Sequence, residues 1–311
     1  MQTFAYNEKG PRRYNEDEYC LVFMEDGSCV AAVADGMGGH AGGDVAASIA
    51  IQTVQDEFAA GTSVSEIPRI AHETVLKIAR KVRGLDGMGS TLTVVSIVDN
   101  MLHGAHVGDS HAYVVRNGEV MLVSEDHSVS GLLLAKGAIT EEHSKCHFLK
   151  NQVVFACGMI CDEFYTDTFD LVLEDGDKIL LTTDGLHDNL LMSDIAGIMD
   201  DRGISFHAQC KKLIALSRFR GLKDNATLVA INYIAAANRS IEEYVFDGNV
   251  SICMNCGCDD SNPCQASPDI SSDSFTCHWV NLCQERQIGL CSFCVAQGAN
   301  WDDDANWDLI G

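Results

Sequence analysis

The richest chemistry in this chain sits in Ala34-Asp35-Gly36-Met37-Gly38-Gly39-His40-Ala41-Gly42-Gly43. An aspartate closes the apolar run Cys29–Ala34, and five glycines follow within residues 36–43. A carboxylate at a strand end, next to backbone that can bend freely, suits a metal ion or a phosphate. Glycine allows positive φ and lets carbonyls or amides approach a charged ligand closely. Taken alone, the same pattern also describes a plain turn.

Further aspartates recur at the ends of apolar runs. Val107-Gly108-Asp109-Ser110 closes one, and Leu180–Thr183 followed by Asp184-Gly185-Leu186-His187-Asp188 closes another. Lys223-Asp224-Asn225 opens a third, and Arg12-Arg13-Tyr14-Asn15-Glu16-Asp17 lies near the start. Carboxylates gathered at strand ends repel one another unless a cation compensates them. Hard oxygen ligands of this kind select Mg²⁺ or Mn²⁺. With an arginine fork beside them, they point to metal-assisted chemistry on a phosphate.

The order of these motifs resembles the metal-dependent type-2C (PPM) protein serine/threonine phosphatases. The likeness runs from about Met1 to Ile234 and includes Arg-x-x-Asn-Glu-Asp at 12–17, Asp-Gly-Met-Gly-Gly-His at 35–40 and Gly89-Ser90-Thr91. It continues through Gly-Asp-Ser at 108–110, Asp126-His127-Ser128, Asp184-Gly185 with Asp188, and Asp224-Asn225. Each motif is short; their joint order and spacing are specific.

The resemblance implies roles for these residues. Asp35 would bridge two metal ions, with the Gly36 carbonyl completing one shell. Asp184 and Asp224 would serve the other ion, Asp17 would hold water on the opposite side, and Glu16 would orient that water. Asp109 and Asp188 match the carboxylates of a third, weaker site in bacterial members. Arg12 matches the phosphate-binding arginine, because a guanidinium fork fits two phosphoryl oxygens; Arg13 reads as a solvated neighbour. The implied reaction is hydrolysis of phosphoserine or phosphothreonine on proteins by a water or hydroxide held between two metals, with no covalent phosphoenzyme. His40, His127 and His187 are candidates to protonate the leaving oxygen, His40 first among them. Met37 stands where some family members carry a histidine. His103 and His106 fall in a strand pattern and read as core or surface residues. Ser110 and Ser128 lack the histidine and aspartate a nucleophilic serine needs. A competing reading is a scaffold that keeps this fold in a signalling complex without turnover; the filled ligand positions speak against it.

Around these residues the chain reads as alternating sheet and helix blocks. Cys20–Met24 and Cys29–Ala34 read as strands about a Glu25-Asp26-Gly27 turn, and Asp44–Phe58 as a helix. Ser65 is the expected cap of a second helix, with Ile67, Ile70, Ile78 and Val82 on one face and Gly84 past its end. Thr91–Val98 and Met101–Val107 read as strands. Ala112–Arg116, Asn117-Gly118 and Glu119–Val123 form a hairpin pattern. Phe169–Leu173, Lys178–Thr182 and Ala226–Ile234 complete the strands, and Phe206–Phe219 reads as a helix. This pattern predicts an α+β architecture. The resemblance sharpens it to two facing antiparallel β-sheets flanked by helices, with 128–159 as a flap beside the site.

The full chain has 311 residues, 46% hydrophobic, and a formal net charge of −24. That charge opposes nonspecific contact with nucleic acid or anionic membrane, so neither is an expected partner. Met1–Tyr6 has neither basic nor apolar leader character, and no apolar run is long enough to span a bilayer. The expected compartment is the cytoplasm, and the expected partners are phosphoproteins made by serine/threonine kinases.

Composition changes near Asn238. Residues 240–311 hold one basic residue, Arg286, against twelve acidic ones, and eight of the fourteen cysteines. We divide the chain into 1–237, the phosphatase-like domain, and 238–311, a cysteine-rich module with an acidic tail. Cys253-x-x-Cys256 and Cys291-x-x-Cys294 are knuckles with the spacing of a tetrahedral Zn²⁺ site. Cys258, Cys264, Cys277 and Cys283 could form a second site. Structural support or protein binding is the expected role, and disulfides are the competing reading.

Overall fold

Cys29–Ala34 is apolar at every position because its strand is covered on both faces. The computed structural model describes residues 1–37 and 42–235, together with the backbone of three short strands in the C-terminal part. Cys29, Ala31 and Val33 face a second sheet, while Val30, Ala32 and Ala34 face helices. A sheet buried on both sides gives a continuous apolar run, not the alternation of a half-exposed one.

The strands are β1 (Gln2–Glu8), β2 (Asp17–Phe23), β3 (Cys29–Met37), β4 (Gly89–Ser90), β5 (Leu92–Val98), β6 (Met101–Val107), β7 (His111–Arg116), β8 (Glu119–Leu122), β9 (Asp167–Val172), β10 (Lys178–Thr182) and β11 (Ala226–Asn232). One sheet has the order β1-β11-β10-β7-β8; the other has β2-β3-β5-β6-β9, with β4 against β3. All of these pairings are antiparallel. Between the sheets, Ala31, Val33 and Val95 pack with Ala112, Leu181 and Val229. Helices α1 (Gly43–Ala59) and α2 (Ile67–Lys81) cover one outer face through Ala47, Ala50, Val54, Ile67 and Ala71. On the other outer face lie α6 (Met192–Met199) and α7 (Phe206–Phe219), through Ile195, Met199, Leu213 and Ile214.

Several local expectations shift. β3 does not end at Ala34 but carries Asp35, Gly36 and Met37 along the strand. Ser65 is not the cap of α2: a 3₁₀ turn, Val64–Glu66, precedes that helix, and Ser63 begins the turn. Val82 lies past the end of α2 and is 47% exposed, so the buried face is Ile67, Ala71, Val75 and Ala79. Glu174-Asp175-Gly176 joins β9 to β10 by crossing from one sheet to the other. Asn117 and Gly118, with φ of 51° and 80°, do form the tight β7–β8 turn. The 128–159 segment contains two short helices, α3 (Val129–Ala135) and α4 (Glu141–Lys145), capped by Ser128 and Thr140. A further short helix, α5 (Asp184–His187), follows β10 directly.

The chain forms two units, Met1–Asn238 and Arg239–Gly311. In the second, β12 (Ile252–Cys253) pairs in parallel with β14 (Ile288–Cys291), and β13 (Trp279–Cys283) pairs antiparallel with β14. Cys253, Cys283 and Cys291 lie on these strands; Cys256, Cys258, Cys264, Cys277 and Cys294 lie outside the described residues.

Candidate active site

Strand register builds the site. In the β2–β3 pair Asp17 lies directly opposite Asp35, which places both on one face of the sheet as neighbours. Like charges so placed repel. Asp184 enters from the other sheet at the end of β10, and Asp224 from just before β11. Asp109 follows β6, and Asp188 follows α5. Six carboxylates thus reach one edge of the sandwich from both sheets.

Their surroundings hold them there. Asp17 is buried, and its Oδ2 accepts from the Thr183 and Thr227 hydroxyls at 2.7 Å each. The Asp35 backbone is clamped from β4 and the residue that follows it: its N–H donates to Thr91 Oγ1 at 2.8 Å, and its carbonyl accepts from the Thr91 N–H at 2.9 Å and from the Ser90 hydroxyl at 3.0 Å. Thr91 in turn bonds Ser110 at 2.8 Å. These contacts explain why Gly-Ser-Thr at 89–91 and Gly-Asp-Ser at 108–110 belong to the constellation. Asn225 stitches the N-terminal loop to the site. Its Nδ2 donates to the carbonyls of Lys9 at 2.7 Å and Tyr14 at 2.9 Å, and its Oδ1 accepts from the Glu16 N–H at 2.9 Å. Gly36 and Gly185 are required by close approach. A Cβ at Gly36 would stand 2.1 Å from the Gly43 carbonyl oxygen, and one at Gly185 would stand 1.9 Å from that of Asn225.

The electrostatics follow from crowding. Burial, then repulsion from Asp17, Asp184, Asp109 and Asp224, pushes the Asp35 carboxyl well above its ordinary range. Burial and the neighbours Asp188, Asp224 and Asp17 raise Asp184 to about 7. Burial raises Asp17 to about 6 against the pull of its two threonine bonds. Asp109 rises through burial and the charges of Asp184, Asp126 and Asp188. Glu16 rises through burial and the nearby Asp44. Two oxygens, Asp17 Oδ1 and Asp184 Oδ1, are buried with no hydrogen-bond partner among the described residues. Crowded carboxylates with spare buried oxygens are the donor set of a hard divalent cation. No three acidic, histidine or cysteine side chains among the described residues already meet at one point. Two of the six carboxylates are instead turned to basic side chains, Asp224 to Arg12 and Asp188 to Lys150.

Arg12 stands at the mouth with its side chain 51% exposed, bonded to Asp224. Arg13 lies over the exposed Tyr14 ring. His127 and His187 are not at the mouth. His127 accepts from the Gly108 N–H through Nδ1 at 3.2 Å and is packed among Phe155, Tyr165 and His106. His187 bonds Thr182 at 2.9 Å and stacks on His111 at 3.8 Å. Burial lowers both imidazoles below their ordinary range. His106 is buried between Thr93 and the Gly108 carbonyl, and His103 is paired with Asp170 at the surface. His40 lies outside the described residues.

Sequence reasoning missed Thr183, Thr227, Lys145 and Lys150. Thr183 precedes Asp184 and Thr227 lies two residues after Asn225, so both could have been found as hydroxyls near the acidic motifs. The lysines come from the 128–159 segment, where no period announces a site. Lys145 donates to the His187 carbonyl at 2.7 Å, and Lys150 pairs with Asp188. Together they line a cavity of about 180 Å³ that also meets Asp109, Asp184 and Asp188.

Comparison with known proteins agrees with this geometry. Residues 12–213 match the family described as Protein phosphatase 2C. The Streptococcus pneumoniae protein named Protein phosphatase PhpP is 29% identical over 243 residues, covering 75% of this chain and 97% of that protein. The solved S. agalactiae serine/threonine phosphatase is 30% identical, with a TM-score of 0.64 over 75% of this chain and 99% of that one. A structure of the PstP catalytic domain in complex with two manganese ions is 27% identical, with a TM-score of 0.64 over 75% of this chain and 98% of that one. With two antiparallel sheets between helices and acidic strand ends gathered at one edge, the chain belongs to the protein phosphatase 2C family.

Proposed function

We propose that this chain is a metal-dependent protein serine/threonine phosphatase, hydrolysing phosphoserine and phosphothreonine on proteins. The observation that carries this is the convergence of Asp17, Asp35, Asp184 and Asp224 from two sheets, with buried oxygens on Asp17 and Asp184 left unpartnered. Relatives named as serine/threonine phosphatases, and another named as a protein phosphatase, support it. Asp17, Asp35, Asp184, Asp224 and the Gly36 carbonyl would hold two Mn²⁺ or Mg²⁺ ions, and Asp109 and Asp188 a third. Bound there, the ions supply Lewis-acid stabilisation of the phosphoryl oxygens and an activated water as nucleophile.

The chain's own residues set up the rest. Arg12 is exposed and can exchange its Asp224 contact for two phosphoryl oxygens, which fixes the ester for in-line attack. Glu16, held through its backbone by Asn225, orients water beside Asp17. Thr183 and Thr227 keep Asp17 in place without neutralising it. The hydrogen bonds of His127 and His187 within the core leave His40 as the candidate proton donor to the departing serine or threonine oxygen. Hydrolysis of a phosphothreonine peptide with Mn²⁺, with EDTA, and by Asp35→Asn tests the reading. Turnover should need the metal and fall sharply in the variant; full turnover by metal-free protein refutes it.

For residues 238–311 we propose a structural Zn²⁺ held by Cys253, Cys256, Cys291 and Cys294. The parallel β12–β14 register supports this, setting Cys253 opposite Gly289, two residues before Cys291. Its role would be to bind a protein partner. Among the described residues no helix is long and apolar enough to cross a membrane; we place the enzyme in the cytoplasm, acting on products of serine/threonine kinases.

A further inference from the structure

One side of the active-site mouth reverses the charge of the molecule. The chain carries 45 acidic residues against 21 Lys and Arg. Yet residues 9–14, Lys-Gly-Pro-Arg-Arg-Tyr, and residues 218–223, Arg-Phe-Arg-Gly-Leu-Lys, hold six of those 21 bases and no acid. The two segments are adjacent, because Asn225 Nδ2 bonds the Lys9 and Tyr14 carbonyls and Arg12 bonds Asp224. Three of the six bases are neutralised locally, Arg12 by Asp224, Arg218 by Glu8 and Arg220 by Asp194. Lys9, Arg13 and Lys223 are exposed and form no ion pair among the described residues. Arg13 is laid over the Tyr14 ring, 5.1 Å from its centroid, which presents a flat cation beside an aromatic surface.

We propose that Lys9, Arg13 and Lys223 form a recognition rim for acidic side chains flanking the phosphorylated residue of the substrate. This rests on the phosphatase reading and adds the substrate class. The opposite expectation is explicit: a net charge of −24 acting alone would draw basic peptides and repel acidic ones. The local rim prevails at contact range, because beyond about 8–10 Å the rest of the field is screened at ordinary salt. Each exposed pair is worth a small factor, so three together give on the order of tenfold in kcat/KM.

The test uses the full chain with Mn²⁺ and three phosphothreonine peptides of one core, flanked by Glu, by Ser or by Lys. The wild type should prefer the Glu-flanked peptide by roughly tenfold over the Lys-flanked one, with the preference shrinking as salt rises. The triple variant Lys9→Glu, Arg13→Glu, Lys223→Glu should reverse the order while hydrolysing a small aryl phosphate within about twofold of wild type. Equal use of the three peptides, a wild-type preference for Lys flanks, or a variant that loses all peptides alike overturns the rim alone. No hydrolysis of any ester, aryl phosphate included, overturns the phosphatase reading and the rim with it.

Discussion

Asp184→Asn should stabilise the metal-free protein while impairing its metal binding. The Asp184 carboxyl titrates at about 7 in the folded chain, against an ordinary 3.8, because burial and Asp188, Asp224 and Asp17 oppose its charge. The folded state therefore binds this proton more tightly than the unfolded state does. Its stabilising contribution is complete below about pH 3.8 and is lost as pH rises through about 7. A gap of about three pH units at about 1.4 kcal/mol each makes the ionised group cost about 4 kcal/mol above pH 7. Asparagine stays neutral and forfeits no bond at Oδ1, which has no partner. In EDTA, thermal unfolding of the variant should exceed wild type by about 8–16 °C at pH 8. The gain should fall to about 1–2 kcal/mol at pH 5, where most of the cost has gone. Calorimetry should show the variant's Mn²⁺ affinity reduced. A variant no more stable than wild type at pH 8, or a gain independent of pH, would refute the electrostatic account of the cluster.

Arg12→Ala should lower kcat/KM on phosphopeptides about 10- to 150-fold, the worth of about 1.5–3 kcal/mol of charge-assisted bonding, without weakening Mn²⁺ binding. Titration calorimetry showing metal affinity lost with activity would assign Arg12 to the wrong task. Asn225→Ala should cost about 3 kcal/mol by denaturant titration, since three hydrogen bonds to the N-terminal loop disappear together. A midpoint unchanged from wild type would mean that those bonds do not anchor the loop. The protein should retain near-stoichiometric zinc after dialysis against Mg²⁺ buffer, because thiolates hold Zn²⁺ far more tightly than oxygen sites hold Mg²⁺. Elemental analysis finding none, with cysteines oxidised in pairs, would favour disulfides.

Much of the carboxylate site was legible because its members interrupt strong patterns. An aspartate after Val30–Ala34, or after Leu180–Thr183, breaks an apolar run, and such a break is visible in one dimension. The starts of β6 and β10 are marked in a similar way, by Asp99-Asn100 and by Glu174-Asp175-Gly176 between apolar runs. What stayed hidden depends on contact between distant segments. β1 alternates only weakly and owes its place to pairing with β11, from Gln2 opposite Asn232 to Glu8 opposite Ala226. α3 and α4 are a few residues long and leave little periodicity to read. Lys150 is a common residue in a loop, and only the folded chain brings it to Asp188. Histidine proved the least readable type. His127 and His187 lie in matched motifs, yet their buried bonds hold the loops around the site.

Three of the six carboxylates show two ways of being held, and the difference bears on how the site keeps its charge. Asp17 lies on the six-stranded sheet, and the hydroxyls that hold it belong to Thr183 and Thr227 of the other sheet's strand ends. Those bonds tie the two sheets together where mutual repulsion would part them. Thr183 also accepts from the Thr227 N–H at 2.9 Å, which fixes its rotamer and keeps its proton directed at Asp17. A hydroxyl supplies this geometry without a counter-charge, so the buried carboxylates remain uncompensated and open to a divalent cation. At the mouth the opposite solution applies. Asp224 and Asp188 are held by Arg12 and Lys150, long side chains whose contacts are partly solvent-exposed. Exposed ion pairs are weak, so a metal ion or a phosphate can displace them at small cost. The interior is thus held by bonds that persist through binding, and the entrance by bonds that can be exchanged.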